Sequence, residues 1–158
     1  MSAPFFDPSL YRHHHRIAVR HYEIDWQGIV HNGNYLLYFE IARVEYFRAA
    51  GVGLDERNIN GATRIVIVRN ELDHFASATF GDELTVHTRL LKVGNSSFTT
   101  EAVMMHEASG RMIGRNIAVM VWTDPKTQRS SPVPLDVRRL LDRFEQGSAA
   151  IEWPTTEV

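Results

Sequence analysis

Asp25 is the residue whose surroundings could support chemistry. It ends a run of β-branched and aromatic residues and opens the loop D-W-Q-G-I-V-H-N-G-N, where two glycines and two asparagines interrupt any period. Within ten residues the loop reaches an apolar helical stretch. A helix N-terminus presents unpaired N–H groups and about half an elementary positive charge, which suits an oxyanion or a carbonyl about to become one. A carboxylate nearby supplies the other half of an acyl-transfer site, as a nucleophile or as a base for water. The same spacing fits an Asx-turn in which Asp25 only holds Gly28 in place, and spacing alone favours that plainer role.

Composition narrows the field. The chain has no cysteine, which removes thiolate nucleophiles, disulfides and cysteine-bearing zinc sites together. Chemistry is left to carboxylates, imidazoles, hydroxyls and backbone, and no cofactor or metal is implied. Seventeen Lys and Arg against nineteen Asp and Glu give a net charge of -2, so no basic field exists to condense onto nucleic acid. The 158 residues, 44% hydrophobic and 23% charged, predict one globular domain over 1–158, too short to enclose a deep private cleft. Residues 1–10 lack a basic-then-apolar leader pattern, and no apolar run approaches the ~18 residues of a membrane span. Together these predict a cytoplasmic protein without a membrane partner.

The elements that must position Asp25 follow from periodicity. Residues 15–24 read as a strand. Residues 34–50 contain no Pro or Gly and stop at Gly51, which predicts a helix of about 16 residues and ~24 Å. Its first half, Tyr35 to Phe39, is apolar on every side, so the helix should be wrapped by other structure. After a polar loop at 54–63 come strands at 64–75, 83–93, 98–107 and 111–123. The run Ile65-Val66-Ile67-Val68 predicts a strand covered on both faces. Val137, Leu140, Leu141 and Phe144 fall at i, i+3, i+4 and i+7, an amphipathic helix starting after Pro134. Strands joined by tight turns with one long helix before them give an α+β domain with an antiparallel sheet.

The segment 25–43 resembles the signature of the hotdog-fold acyl-CoA thioesterases of the 4-hydroxybenzoyl-CoA thioesterase type. Asp25, Gly28 and the helical Tyr35, Phe39, Glu40, Ala42 and Arg43 all fall in register, and F-G-D-E-L at 80–84 is similar to the family's turn into its third strand. The resemblance covers about 17–122. It implies a five-stranded antiparallel sheet wrapped around a long helix, a short C-terminal helix, and an acyl-CoA substrate bound at the interface of a homodimer or homotetramer. It further implies Asp25 as the catalytic carboxylate, the Asn32 N–H as oxyanion donor, and His31 and Tyr35 as positioning groups. Two features depart from the family. Ser77 stands where proline is usual, and the turn at 92–98 offers Asn95, Ser96 and Ser97, with Gly28, as substrate contacts in place of an arginine cluster.

Other residues have plainer readings. Glu40 could orient water, but an i, i+3 ion pair with Arg43 is the simpler expectation. His13, His14 and His15 cannot all face one ion within a strand and read as a solvated strand start. Met104, Met105, Met112 and Met120 read as core filler. Two alternatives to a thioesterase remain at this point, a hotdog enoyl-CoA hydratase or dehydratase and a non-catalytic acyl-thioester-binding module.

Overall fold

Arg20 and Glu23 end the first strand earlier than its composition predicts. Glu23 accepts the Arg20 N–H at 2.7 Å and its side chain at 2.5 Å, closing a single 3-10 turn at His21–Glu23. Strand β1 is therefore His13–Ala18, and the residues after it turn toward the helix instead of extending the sheet. The computed structural model describes residues 2–53 and 64–146; the polar loop read at 54–63 lies outside the described residues.

Helix α1 runs Asn32–Ala49, two residues earlier than its composition marks. Its end is where glycine predicts it, with Gly51 at φ +83°. Four strands follow: β2 (Arg64–His74), β3 (Glu83–Val93), β4 (Ser97–His106) and β5 (Met112–Thr123), then helix α2 (Leu135–Phe144). They form one antiparallel sheet in the order β1-β3-β4-β5-β2, the expected five-stranded sheet with a long helix on one face.

The core lies between α1 and the alternate strand residues that point at it. Tyr35, Tyr38, Phe39 and Ala42 pack with Leu84, Val86, Ala102 and Met104; one turn further on, Tyr46 and Phe47 pack with Leu90, Phe98, Met120, Trp122 and Leu141. Gly114 is required at the first junction: a Cβ there would lie 2.9 Å from the Asp73 carbonyl oxygen and 3.8 Å from the Phe39 ring.

Two expectations fail within the single chain. β2 is an edge strand, and Val66 and Val68 are 45% and 59% exposed where cover on both faces was expected. The helix is likewise open on one side, with Leu36, Leu37 and Ile41 facing outward. Sequence pattern reports that a surface is apolar, not whether the same chain covers it.

Candidate active site

The loop that begins at Asp25 is locked at both ends. The Asp25 N–H donates to the Ile29 carbonyl at 2.9 Å, and the Gly28 N–H returns to the Asp25 carbonyl at 3.0 Å, with Gly28 at φ +79°. Thr79 donates its hydroxyl to the Gly28 carbonyl at 3.0 Å, and the Val30 N–H reaches the Ala78 carbonyl at 2.9 Å. These bonds tie the loop to the turn before β3. The Asp25 carboxylate accepts the Gln27 N–H at 2.8 Å through Oδ1, so the Asx-turn exists. It occupies one lone pair on one oxygen and leaves Oδ2 available.

The loop delivers the chain to α1 with its first amide open. His31 is the N-cap, and its Nδ1 accepts the Gly33 N–H at 3.1 Å. The Asn34 N–H donates to the His31 carbonyl at 2.9 Å. Asn32 is the first helical residue, it is exposed, and among the described residues no acceptor takes its N–H. An exposed N–H at the positive end of an 18-residue helix is a donor suited to a developing oxyanion. No hydrogen bond joins His31 to Asp25 among the described residues, since the His31 Nδ1 is taken by the Gly33 N–H.

Tyr35 serves as a brace. Its buried hydroxyl accepts the Ala78 N–H at 3.0 Å, and its ring meets His74 edge-on at 5.1 Å. Burial raises its pKa, and the nearby Asp25 charge adds to the rise, so the phenol stays protonated beside the carboxylate. The strand bend at Ser77 forms without proline. The Phe75 and Ala76 N–H groups both donate to the Ile113 carbonyl, and the Ser77 carbonyl accepts from Arg111 at 3.1 Å.

Glu23 holds the whole arrangement, and the sequence did not point to it. The residue is 4% exposed. Burial alone would raise its pKa, but the Arg20 guanidinium, the Tyr38 hydroxyl at 2.6 Å and the Arg20 N–H together hold it below the ordinary value. Its own carbonyl accepts the His31 N–H and the Asn34 side-chain amide, each at 2.9 Å. Arg20 and Glu23 have a helical i, i+3 spacing inside a run of strand character, which hides the signal.

Asn95, Ser96 and Ser97 are elsewhere. The Asp25 loop sits at the Glu83 end of β3 and the 94–97 turn at its Val93 end, about 33 Å away at the usual strand rise. That turn is tied to the C-terminal segment: the Asn95 carbonyl accepts the Val133 N–H at 2.9 Å and Arg138 at 2.8 Å. One chain does not bring the two sets of residues together. The ion pair expected between Glu40 and Arg43 is also absent among the described residues. Glu40 is exposed on the open side of α1, while Arg43 is buried, with its pKa lowered by that burial. Among the described residues no three His, Asp or Glu converge on a metal position, and no helix is long and apolar enough to cross a membrane.

Comparison with known proteins bears on this arrangement. Residues 19–141 match the model of a thioesterase-like superfamily. A protein of Aquifex aeolicus named "Putative esterase" is 31% identical over 93 residues, which is 59% of this chain and 72% of that protein. A thioesterase from Thermus thermophilus, crystallised with coenzyme A and Zn, superposes with a TM-score of 0.75 at 27% identity, covering 85% of this chain and 95% of its own. A 1,4-dihydroxy-2-naphthoyl-CoA thioesterase from Synechocystis shares the fold at TM-score 0.75 and 18% identity, covering 81% of this chain and 93% of its own.

Proposed function

This chain belongs to the thioesterase-like superfamily, and from that premise we propose that it hydrolyses an acyl-CoA thioester to a carboxylic acid and free coenzyme A. The observation that carries the reading is the open Asn32 N–H at the start of α1, held by the same loop that presents the Asp25 carboxylate.

The thioester carbonyl oxygen would accept the Asn32 N–H, with the helix dipole adding to the stabilisation of the oxyanion. Asp25 then acts in one of two ways. As a base it takes a proton from water while the water oxygen bonds to the carbonyl carbon. As a nucleophile it forms an acyl–aspartyl anhydride that water opens afterwards. In both, the carbon–sulfur bond breaks and the thiolate leaves with its electron pair, taking up a proton to become the free thiol. His31 and Tyr35 position the acyl group, His31 from the helix cap and Tyr35 from the brace to Ala78.

The site is shared between copies of the chain in this reading. The length of β3, about 33 Å at the usual strand rise, separates the Asp25 loop from the turn with Asn95, Ser96 and Ser97, so both can serve one substrate only if a second chain supplies one of the two. The β2 edge, with Val66, Ile67 and Val68 exposed, and the open face of α1 provide the surface for such a pairing. Sedimentation should give a mass of at least two chains, and Val66→Lys with Val68→Lys should lower it to one; an unchanged mass would remove β2 as the contact.

The deciding experiment is a thiol-release assay over short, long and aromatic acyl-CoAs, with Asp25→Asn as control. Release that depends on Asp25 supports hydrolysis, and saturable binding without release leaves an acyl-thioester-binding module. Multiple turnover in 18O-labelled water tests the nucleophile role, since label enters the Asp25 carboxylate only when water opens an anhydride at its aspartyl carbonyl carbon.

A further inference from the structure

The sheet face turned away from α1 carries a second cleft. Strand alternation puts Arg89, Glu101, Val103 and Arg115 on that face, because their neighbours Leu90, Ala102 and Met104 point into the core. The N-terminal segment crosses over them: Asp7 caps a 3-10 turn at Pro8–Leu10, and Tyr11 follows it down onto the sheet. Between the segment and the sheet is a cleft of about 400 Å³ lined by these groups.

The floor of the cleft is a cation pair around one carboxylate. Glu101 is 5% exposed and fully engaged. Its Oε2 accepts Arg89 Nε at 2.6 Å and the Tyr11 hydroxyl at 3.0 Å, and its Oε1 accepts Arg115 Nε at 2.7 Å. Burial would raise its pKa, but the two guanidiniums hold it below the ordinary value, so it is charged. Two guanidiniums stand against Glu101 on the floor and Asp7 in the lining, so the charges balance and what the cleft offers an anion is its unused N–H donors. Arg89 lies 5.0 Å over the Tyr11 ring, which fixes its plane.

The donors are not used up. Arg89 Nη1 is buried and has no hydrogen-bond partner, a position that costs free energy unless something accepts from it. Arg115 reaches Glu101 through Nε alone, and among the described residues nothing accepts from its two terminal nitrogens. Asp7 also lines the cleft, its Oδ1 accepting the Ser9 N–H at 2.9 Å and the Ser9 hydroxyl at 2.7 Å. The N-terminal segment gives the lining an apolar part in Pro4, Leu10 and Phe5, the last 92% exposed.

We propose that this cleft binds a small organic acid, its carboxylate accepting from the terminal nitrogens of Arg115 and its apolar group lying against Phe5, Pro4 and Leu10. The planar guanidinium of Arg115, with both terminal nitrogens open, suits the two oxygens of a carboxylate, and the apolar part of the lining discriminates against ions that have none. The sheet separates this cleft from α1, so the inference stands whether or not the chain is a hydrolase.

Calorimetric titration of the full chain with hexanoate tests it. One site per chain is expected, weakened at least about tenfold by Arg115→Gln and unaffected by Asp25→Asn. Phe5→Ala, which alters only an exposed side chain and keeps the fold, should weaken hexanoate several-fold and leave acetate unchanged. The Nε–H resonances of Arg89 and Arg115 should shift along the titration. The proposal is overturned if hexanoate fails to bind at millimolar concentration or binds Arg115→Gln as well as the parent. It is equally overturned if inorganic phosphate or acetate binds as tightly as hexanoate.

Discussion

The two ends of α1 each bury a glutamate, and the two are held in opposite ways. At the N-terminal end Glu23 has an arginine, a tyrosine hydroxyl and a backbone amide, and its pKa is depressed although burial opposes it. At the far end Glu145, 1% exposed, accepts the Tyr46 hydroxyl at 2.5 Å and the Leu90 N–H at 2.8 Å, while its Oε2 is buried with no partner. Burial dominates there and its pKa is raised. Both glutamates have little exposed surface, but Glu145 lies deeper in protein and has no guanidinium bonded to it, and these two differences set the opposite signs. One end is a charged anchor beneath the proposed site, and the other is a carboxyl group whose burial opposes its charge, joining β3 and the helix.

The largest expected effect lies at the anchored end. Asp25→Asn should lower thiol release by about 10²- to 10⁴-fold, the range for loss of a positioned acid–base group, with circular dichroism unchanged. The Asx-turn to Gln27 can survive in the variant, since the Asn side-chain oxygen still accepts. Retained activity would reduce Asp25 to the turn residue that spacing alone suggests.

Glu23→Gln should follow, at about 2 kcal/mol of stability at pH 7, because it removes a carboxylate bonded to a cation and a phenol. A depressed folded pKa contributes stability that is present above the unfolded value of 4.5 and lost as pH falls through the folded value. The gap between parent and variant, read from urea midpoints, should therefore close in acid and stay open at neutral pH. Turnover should fall as well, since the Glu23 carbonyl anchors His31 and Asn34.

Much of this was legible in the residues, and the failures share one cause. Strand β3 and helix α2 fall where period-2 and i, i+3, i+4, i+7 patterns put them, because both bury one face against this chain's own core. Asp25, Gly28 and the helix start stand out because a turn, a positive φ and a cap each favour particular residue types. The Arg20–Glu23–Tyr38 anchor does not, since its members lie in a strand-like run and a helix, and only the folded chain joins them. The open β2 edge misled for a related reason: local pattern carries no record of which chain covers a surface.

Paired tyrosine variants measure the guanidinium's influence at one remove. Tyr38→Phe takes a hydroxyl from a charged carboxylate and should cost about 1.5–2 kcal/mol, against about 1 kcal/mol for Tyr46→Phe, whose acceptor has its pKa raised by burial. Equal costs from thermal unfolding at pH 6 would mean the two carboxyl groups share one charge state.

Glu145→Gln should have the smallest effect, and one of reversed sign. The glutamine oxygen can still accept from Tyr46 and Leu90, so in acid, where the native carboxyl is protonated, parent and variant should agree within about 1 kcal/mol. A raised folded pKa means the stability that Glu145 contributes is full below the unfolded value of 4.5 and is lost as pH rises through the folded value. The parent therefore pays an ionisation cost at alkaline pH that the variant escapes, and the variant should become the more stable of the two there. The curves for Glu23→Gln and Glu145→Gln relative to the parent should thus diverge in opposite directions as pH increases. Parallel curves would show that α1 has two charged anchors, with Arg12 and Arg89, whose fields favour the charged form of Glu145, outweighing its burial.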